Sequence, residues 1–505
     1  MNLLEQDALK VLSLVRSMKN TFAPINRVPQ GILSLVPDYC DTDKELVALT
    51  HVCRGWRERF ISCPSLWSFL DCANVEKTRA YLERSKTHLL EVQLGREESA
   101  SFLKDALLLT VPHLGRLETL SLYGSSDDLL QLTKYSGSPA PLLEKLKLTS
   151  ARAETLVIQG AIFDGHLPSL HELRLSGVIT NLVWGNLSNL RTFDLRQVAG
   201  DKISMTQLLD LFEHAPLLRK IQLRDAFPNS SDAPPGRVVS LSQLKFLTIV
   251  AQPVHSILLN HLLIPTDLSL SQCFDLSDDK SPIPDYLPKT LETLGNVSCV
   301  TSITLSFDPG MFLRVEGPSG SHCMFGNWCG VGPSPSIVDS RVLQSLTLFR
   351  ISTVERLAIT EYSASPPAKT EKSPVYLTLL LMNNLRTLTL IDCLNLPFVF
   401  ALNPNRNPSR TVVCPKLEEL VLYIMDKDKD WSCIDELLEA VKERASRGSK
   451  LPAITIVCPE EFLPAKQVLK LKEHVSRVEY RLDDVAPGWD AIPTDVDYTG
   501  YESDW

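Results

Sequence analysis

A six-residue phrase, apolar, two variable, apolar, one variable, apolar, returns ten times between about residues 110 and 425, and few folds can accommodate it. It reads LETLSL from Leu117, LEKLKL from Leu143, LHELRL from Leu170, LRTFDL from Leu190 and LRKIQL from Leu218. Then come LKFLTI from Leu244, VTSITL from Val300, LQSLTL from Leu343, LRTLTL from Leu385 and LEELVL from Leu417. The closing x-L-x-L sets alternate side chains on one face of a short strand, and the leading leucine enters the same core from the incoming loop. One such unit cannot bury its apolar face alone, so neighbours must stack into a parallel-stranded array whose other strand face is left to solvent or a partner.

The fourth positions of the first six copies stand 26, 27, 20, 28 and 26 residues apart, the period of a leucine-rich repeat. The competing reading, an ordinary α/β sheet, would show continuous Val/Ile-rich strands without this unequal three-leucine spacing. After residue 250 the regularity decays, with a degenerate copy at LIPTDLSL and insertions at 227–237, 316–336, 362–374 and 403–410 whose Pro/Ser/Gly content reads as loops. SCIDELLEAVKERASRG carries Ser432 and Asp435 in capping-box spacing and Ile434, Leu437, Leu438 and Val441 on one face, which predicts a helix closing the array near Gly448. From Asp483 to Trp505 seven acidic residues and no basic one make an acidic tail. Strand-face residues Glu118, Lys145, Arg174, Asp194 and Gln222 are candidates for a concave binding surface.

Fifty-one basic against sixty acidic residues leave a formal charge of −9, which argues against nucleic acid or an anionic membrane surface as the main partner. No stretch approaches eighteen uninterrupted apolar residues. The opening MNLLEQDALKVLSLVRSMKN lacks the basic start and clean apolar run of a secretory signal, and the twelve cysteines are scattered rather than framed. The chain is therefore expected to be intracellular, cytoplasmic or nuclear, with the sequons at Asn186, Asn229 and Asn296 as chance matches.

Residues 47–71, VALTHVCRGWRERFISCPSLWSFLD, concentrate two tryptophans, two cysteines, a histidine and three arginines. Zinc fits poorly, because Cys53, Cys63 and Cys72 stand ten and nine apart where structural sites pair cysteines two to four apart. His322, Cys323 and Cys329 have no second knuckle. No phosphate loop, dinucleotide fingerprint, H-E-x-x-H or G-x-S-x-G occurs, and Asp278/Asp279 and Glu460/Glu461 read as solvated turns, so neither an enzyme nor a cofactor is indicated. Arg54, Arg57 and Arg59 around Trp56 mix basic and aromatic character, yet read as a solvated helix face. Thr42 and Glu45 form a capping box, and Leu46, Leu49, Val52, Cys53, Trp56 and Phe60 follow at steps of three or four, predicting one continuous amphipathic helix stopped before Pro64. Upstream, Val28, Ile32, Leu33, Leu35 and Val36 surround Pro29, with Pro37 breaking the run. So small a unit has more apolar surface than it can bury, and calls for a covering partner or for the following domain.

VPQGILSLV followed by LVALTHVCRGWRERFISCPSLW resembles an F-box, with Val28, Pro29, Val52, Cys53, Trp56, Leu66 and Trp67 at the pattern positions; Gly31 stands where glutamate is usual. PSLWSFLDC continued by YLERSKTHLLEVQL is similar to the large F-box and leucine-rich-repeat families of mushroom-forming fungi. The resemblance implies an α/β chain: an N-terminal helix (1–24), a short all-α F-box (25–72), an irregular leucine-rich-repeat solenoid of parallel strands with helices or loops (73–460), and a C-terminal segment with the acidic tail (461–505). It also implies a substrate-recognition subunit of an SCF-type cullin-RING ubiquitin ligase, docking on a Skp-type adaptor and through it a cullin while the repeats hold an unidentified protein substrate. The adaptor surface is expected among Val28, Pro29, Ile32, Leu33, Leu49, Val52, Cys53, Trp56 and Trp67. The alternative is a non-catalytic scaffold whose F-box acts outside a ligase.

Overall fold

The computed structural model describes residues 3–482 apart from 30–31, 33–34, 41, 72–73, 96–102, 133–137, 153, 160–161, 181–186, 200, 227–234, 252–257, 266–267, 275–299, 307–310, 317–321, 328–345, 347–350, 361–373, 392–395, 408, 424–431 and 459–464. The acidic tail, Leu33, Cys72, Cys329, the three sequons and both acidic pairs fall outside the described residues. Two compact units divide the chain at Leu187. Each is mixed α/β, with a sheet built largely of parallel strands.

The first unit opens with helices α1 (Leu3–Phe22), α2 (Asp43–Leu49) and α3 (Arg54–Ile61), the last two separated by four residues. A parallel sheet follows in chain order through Phe69–Leu70, Leu90–Leu94, Leu117–Gly124, Lys145–Ser150 and Glu172–Ser176. Helix α4 (Val75–Ser85) precedes its second strand, with Asn74 Oδ1 accepting from the Glu76 and Lys77 amides as its cap. Leu120, Leu146 and Leu173 stand in one register row and Leu122, Leu148 and Leu175 in another, all buried.

In the second unit Thr192–Val198, Lys220–Ala226, Phe246–Ala251 and Ser269–Phe274 pair in parallel and in order, the last being the degenerate copy. The order then breaks. Ser269–Phe274 pairs with His322–Asn327, which runs antiparallel to Met311–Glu316, itself antiparallel to Ser302–Ser306. A segment expected to be loop from its Gly/Pro content thus contributes a strand at His322–Asn327. From Ser302–Ser306 the parallel ladder resumes through Arg356–Thr360, Thr387–Ile391, Glu419–Tyr423, Ala453–Cys458 and Arg477–Leu482.

A recurring turn explains the leading leucine. The amides of Leu143, Leu170, Leu218, Leu244, Val354, Leu385 and Leu417 each donate to the carbonyl three residues earlier, at 3.1–3.2 Å. The bend drops that side chain under the strand it precedes, where all seven are buried. Val354–Leu357–Ile359 and Leu451–Ile454–Ile456 keep the same spacing and burial, so VERLAI and LPAITI are further copies. Of LQSLTL, only Leu346 is described, and it is buried.

The helix expected near Gly448 is Ser432–Ser446, with Ile434, Leu437 and Val441 buried and Leu438 half-buried. It does not close the array, because Ala453–Cys458, helix Ala465–His474 and Arg477–Leu482 follow it. The described residues of 403–410 form turns, in which Asn407 Nδ2 donates to the Thr411 carbonyl at 2.7 Å and Asn403 is buried.

Candidate functional site

The amino-terminal module is built by local hydrogen bonds before any long-range packing. Thr42 Oγ1 accepts from the Glu45 amide at 3.3 Å and the Thr42 amide donates to Glu45 Oε2 at 3.1 Å, closing the capping box that starts α2. The expected single helix is two. Cys53 is extended (φ −160°) at the residue before α3, without a side-chain capping hydrogen bond, and the Thr50 carbonyl accepts from Arg57 Nε at 3.0 Å. The Thr50 hydroxyl also donates back to the Val47 carbonyl at 2.7 Å. Thr50 and Val52 are β-branched, the Thr50 hydroxyl back-bonds to the carbonyl three residues earlier as it does where helices bend, and Arg57 takes the Thr50 carbonyl that a continuing helix would pair with the Arg54 amide. The interruption turns Val52 outward, 57 % exposed.

Trp56 and Phe60 on α3 form the module's core, edge to face with ring centroids 5.4 Å apart, and Val28, Val36, Leu49, Cys53 and Leu66 pack against them. Trp56 Nε1 donates to Asn26 Oδ1 at 2.8 Å, tying the segment before Val28 to the same centre. Trp67 is fully buried by other groups. Its Nε1 donates to the Phe60 carbonyl at 2.9 Å, its ring meets Tyr81 of α4 edge to face at 5.0 Å, and the Arg84 guanidinium lies 4.5 Å over it. Trp67 is therefore the clamp between the module and α4.

These contacts sort the expected adaptor residues. Val28, Leu49, Cys53 and Trp56 face the module's own core and Trp67 faces α4, whereas Pro29, Ile32 and Val52 are exposed; Leu33 lies outside the described residues. Leu35 and Ile25 are exposed as well and escaped a reading based on one unbroken helical stripe. The three outward residues alternate along the chain with core members: Pro29 follows Val28, Ile32 stands between Val28 and Val36, and Val52 precedes Cys53. A firm core thus carries a set of outward apolar side chains whose burial against another surface would cost no internal packing.

Among the described residues, no group of three His, Cys, Asp or Glu side chains is placed to hold a metal, and the His51 ring faces Arg57 Nη2 at 3.4 Å. Alongside the module, Leu9, Leu12, Ser13 and Arg16 of α1 and Arg54, Gly55 and Glu58 of α3 line an open groove of about 630 Å³.

On the strand faces the register places Lys145 and Arg174 in two adjacent outward rows of the first unit, and Asp194 and Gln222 in one row of the second. Glu118 does not join them, because Thr119 heads the row of Lys145. The Asp194 row is closed off: Asp194 is 1 % exposed, its carboxylate held by Arg196 Nε at 3.0 Å and Nη2 at 2.8 Å, and its neighbours Gln222 and Thr248 are buried. Arg196 and Arg224 stand adjacent in the next row, both half-buried.

No protein-family model matches the chain, and no curated protein matches it. The fold and the module's geometry therefore define it as a mixed α/β protein with parallel-stranded sheets and an amino-terminal helical module. Among the described residues no helix is long and apolar enough to cross a membrane.

Proposed function

We propose that the chain is the substrate-recognition subunit of an SCF-type ubiquitin ligase, residues 25–72 acting as an F-box that binds a Skp-type adaptor and the strand array acting as an irregular leucine-rich-repeat solenoid that holds a protein substrate. The observation that carries this reading is the division of labour in the module: a Trp56–Phe60 core with Pro29, Ile32 and Val52 turned outward around it. The repeated turns and the register rows of buried leucines support the solenoid half of the reading. On this account the chain performs no bond-making step. It brings a substrate lysine near the charged ubiquitin-conjugating enzyme, and the gain is one of effective concentration. Adaptor contact at Val52 and Ile32 would bury apolar side chains without opening the core, whereas Trp56 and Trp67 act indirectly by holding the module's shape. Co-expression of the full chain with a Skp-type adaptor, followed by size-exclusion chromatography, tests the reading: the two co-elute with the intact chain and separate when residues 25–72 carry Ile32→Asp and Val52→Asp together. Failure of the intact chain to co-elute refutes it.

A further inference from the structure

Helix α1 carries an apolar stripe whose described side chains, from Ala8 to Phe22, are exposed. Leu4, Ala8, Val11, Val15, Met18 and Phe22 follow one another at steps of 4, 3, 4, 3 and 4, the heptad seam of a coiled coil. Val11, Val15, Met18 and Phe22 are 45–68 % exposed. The groove toward α3 is lined instead by Leu9, Ser13, Arg16 and Asn20, on the far side of the helix from the seam at 100° per residue, with Leu12 at the border between the two faces, so the seam looks away from the module. A helix with no buried side chain among its described residues gains little from packing on the body, and a partner on the seam would supply that packing.

The residues flanking the seam say what that partner is. With Ala8, Val15 and Phe22 at a and Leu4, Val11 and Met18 at d, the e positions are Glu5, Leu12 and Lys19 and the g positions Asp7, Leu14 and Thr21. In a parallel pair e meets g, setting Leu12 against Asp7 and Lys19 against Leu14, both mismatched. In an antiparallel pair e meets e and g meets g. Glu5 then faces Lys19 of the second copy, and Leu12 and Leu14 each face their own equivalents. The core layers also match in size, small Ala8 against Met18, Val11 against Val15, Leu4 against Phe22. We infer that α1 is a self-association helix, pairing antiparallel with α1 of a second copy of this chain. The inference stands apart from the ligase reading and needs no adaptor.

Sedimentation velocity of the full-length protein over a roughly hundredfold concentration series tests it. The intact chain passes from monomer to dimer, whereas Val11→Glu with Val15→Glu stays monomeric and melts as the intact chain does at concentrations where that chain is monomeric, because neither side chain is buried on the body. Lys19→Glu sets two glutamate pairs face to face and weakens dimerisation by about tenfold, and adding Glu5→Lys restores it, which a parallel pair would not show. A chain monomeric at every concentration overturns the inference, whether or not it binds phosphatidylglycerol vesicles. So does a dimer that survives the double glutamate change, or a charge swap that fails to restore association.

Discussion

Replacing Trp67 by alanine removes the buried aromatic side chain that joins the amino-terminal module to α4, beside the Asp71–Lys77 ion pair. The indole is fully buried, donates to the Phe60 carbonyl at 2.9 Å and meets Tyr81 edge to face at 5.0 Å. A buried Trp→Ala change costs about 3–5 kcal/mol in lost burial and cavity. The aromatic pair adds about 0.5–1.5 kcal/mol and the Phe60 carbonyl, left without its donor, about 1 kcal/mol. Because these overlap, the total is about 4–6 kcal/mol, a fall of roughly 10³–10⁴ in amide protection for any opening that frees the clamp. Trp67→Phe keeps a ring against Tyr81 and loses mainly the hydrogen bond, for about 1–2 kcal/mol. Hydrogen exchange read by mass spectrometry on peptides spanning 54–67 and 75–85 is the assay, since a two-unit chain has no single unfolding free energy. Both peptides should lose protection together and in the order Ala, Phe, wild type. Loss confined to one peptide, or a change under about tenfold in both, refutes the clamp.

Other consequences are as direct. Arg444 is buried, donating from Nη1 to the Val413 carbonyl at 2.7 Å and from Nη2 to the Cys414 carbonyl at 3.0 Å, so Arg444→Leu, which strands both acceptors, should cost about 2–4 kcal/mol by denaturant unfolding of the second unit. Burial pushes the Cys414 thiol up to about 12, so at pH 8 iodoacetamide should label Cys40, Cys53 and Cys63, all half-buried, well before Cys414, as peptide mass spectrometry would show. The Arg237 guanidinium beside Glu213 holds its carboxyl below the ordinary value of 4.5. A depressed carboxylate contributes stability above its unfolded value and loses it as pH falls through the folded one. Exchange protection of Met205–His214 should therefore drop as pH falls below that range, and lose that dependence in Arg237→Gln.

Where the leucine spacing was clean, the inward face of each strand could be read directly, because x-L-x-L alternation and a leading leucine leave one register. Phe193, Ile221 and Leu247 all stand buried in one row, as their positions in the phrase require. VERLAI and LPAITI fit the phrase but not its spacing, since VERLAI starts eleven residues after LQSLTL, too soon for the period, and LPAITI lies beyond the helix expected to close the array. The antiparallel pair at Met311–Glu316 and His322–Asn327 could not be read, since strand order depends on contacts remote in sequence and the local Gly/Pro content argues for loop. In the module, residue types announced an apolar stripe, but not the break at Thr50–Cys53, which follows from a hydroxyl and a guanidinium capturing backbone carbonyls. That break decides which apolar residues face inward, so Val52 and Trp56, four apart and expected on one surface, end on different sides of the module's packing.

The proposed role turns on Val52 and Ile32. Titration of a purified Skp-type adaptor into the full chain, followed calorimetrically, measures it most directly. The account predicts saturable binding at micromolar concentration or tighter, lost in Val52→Asp and in Ile32→Asp while exchange protection of 54–67 stays as in the wild type. Absence of binding by the intact chain, or binding that survives both substitutions, would contradict it.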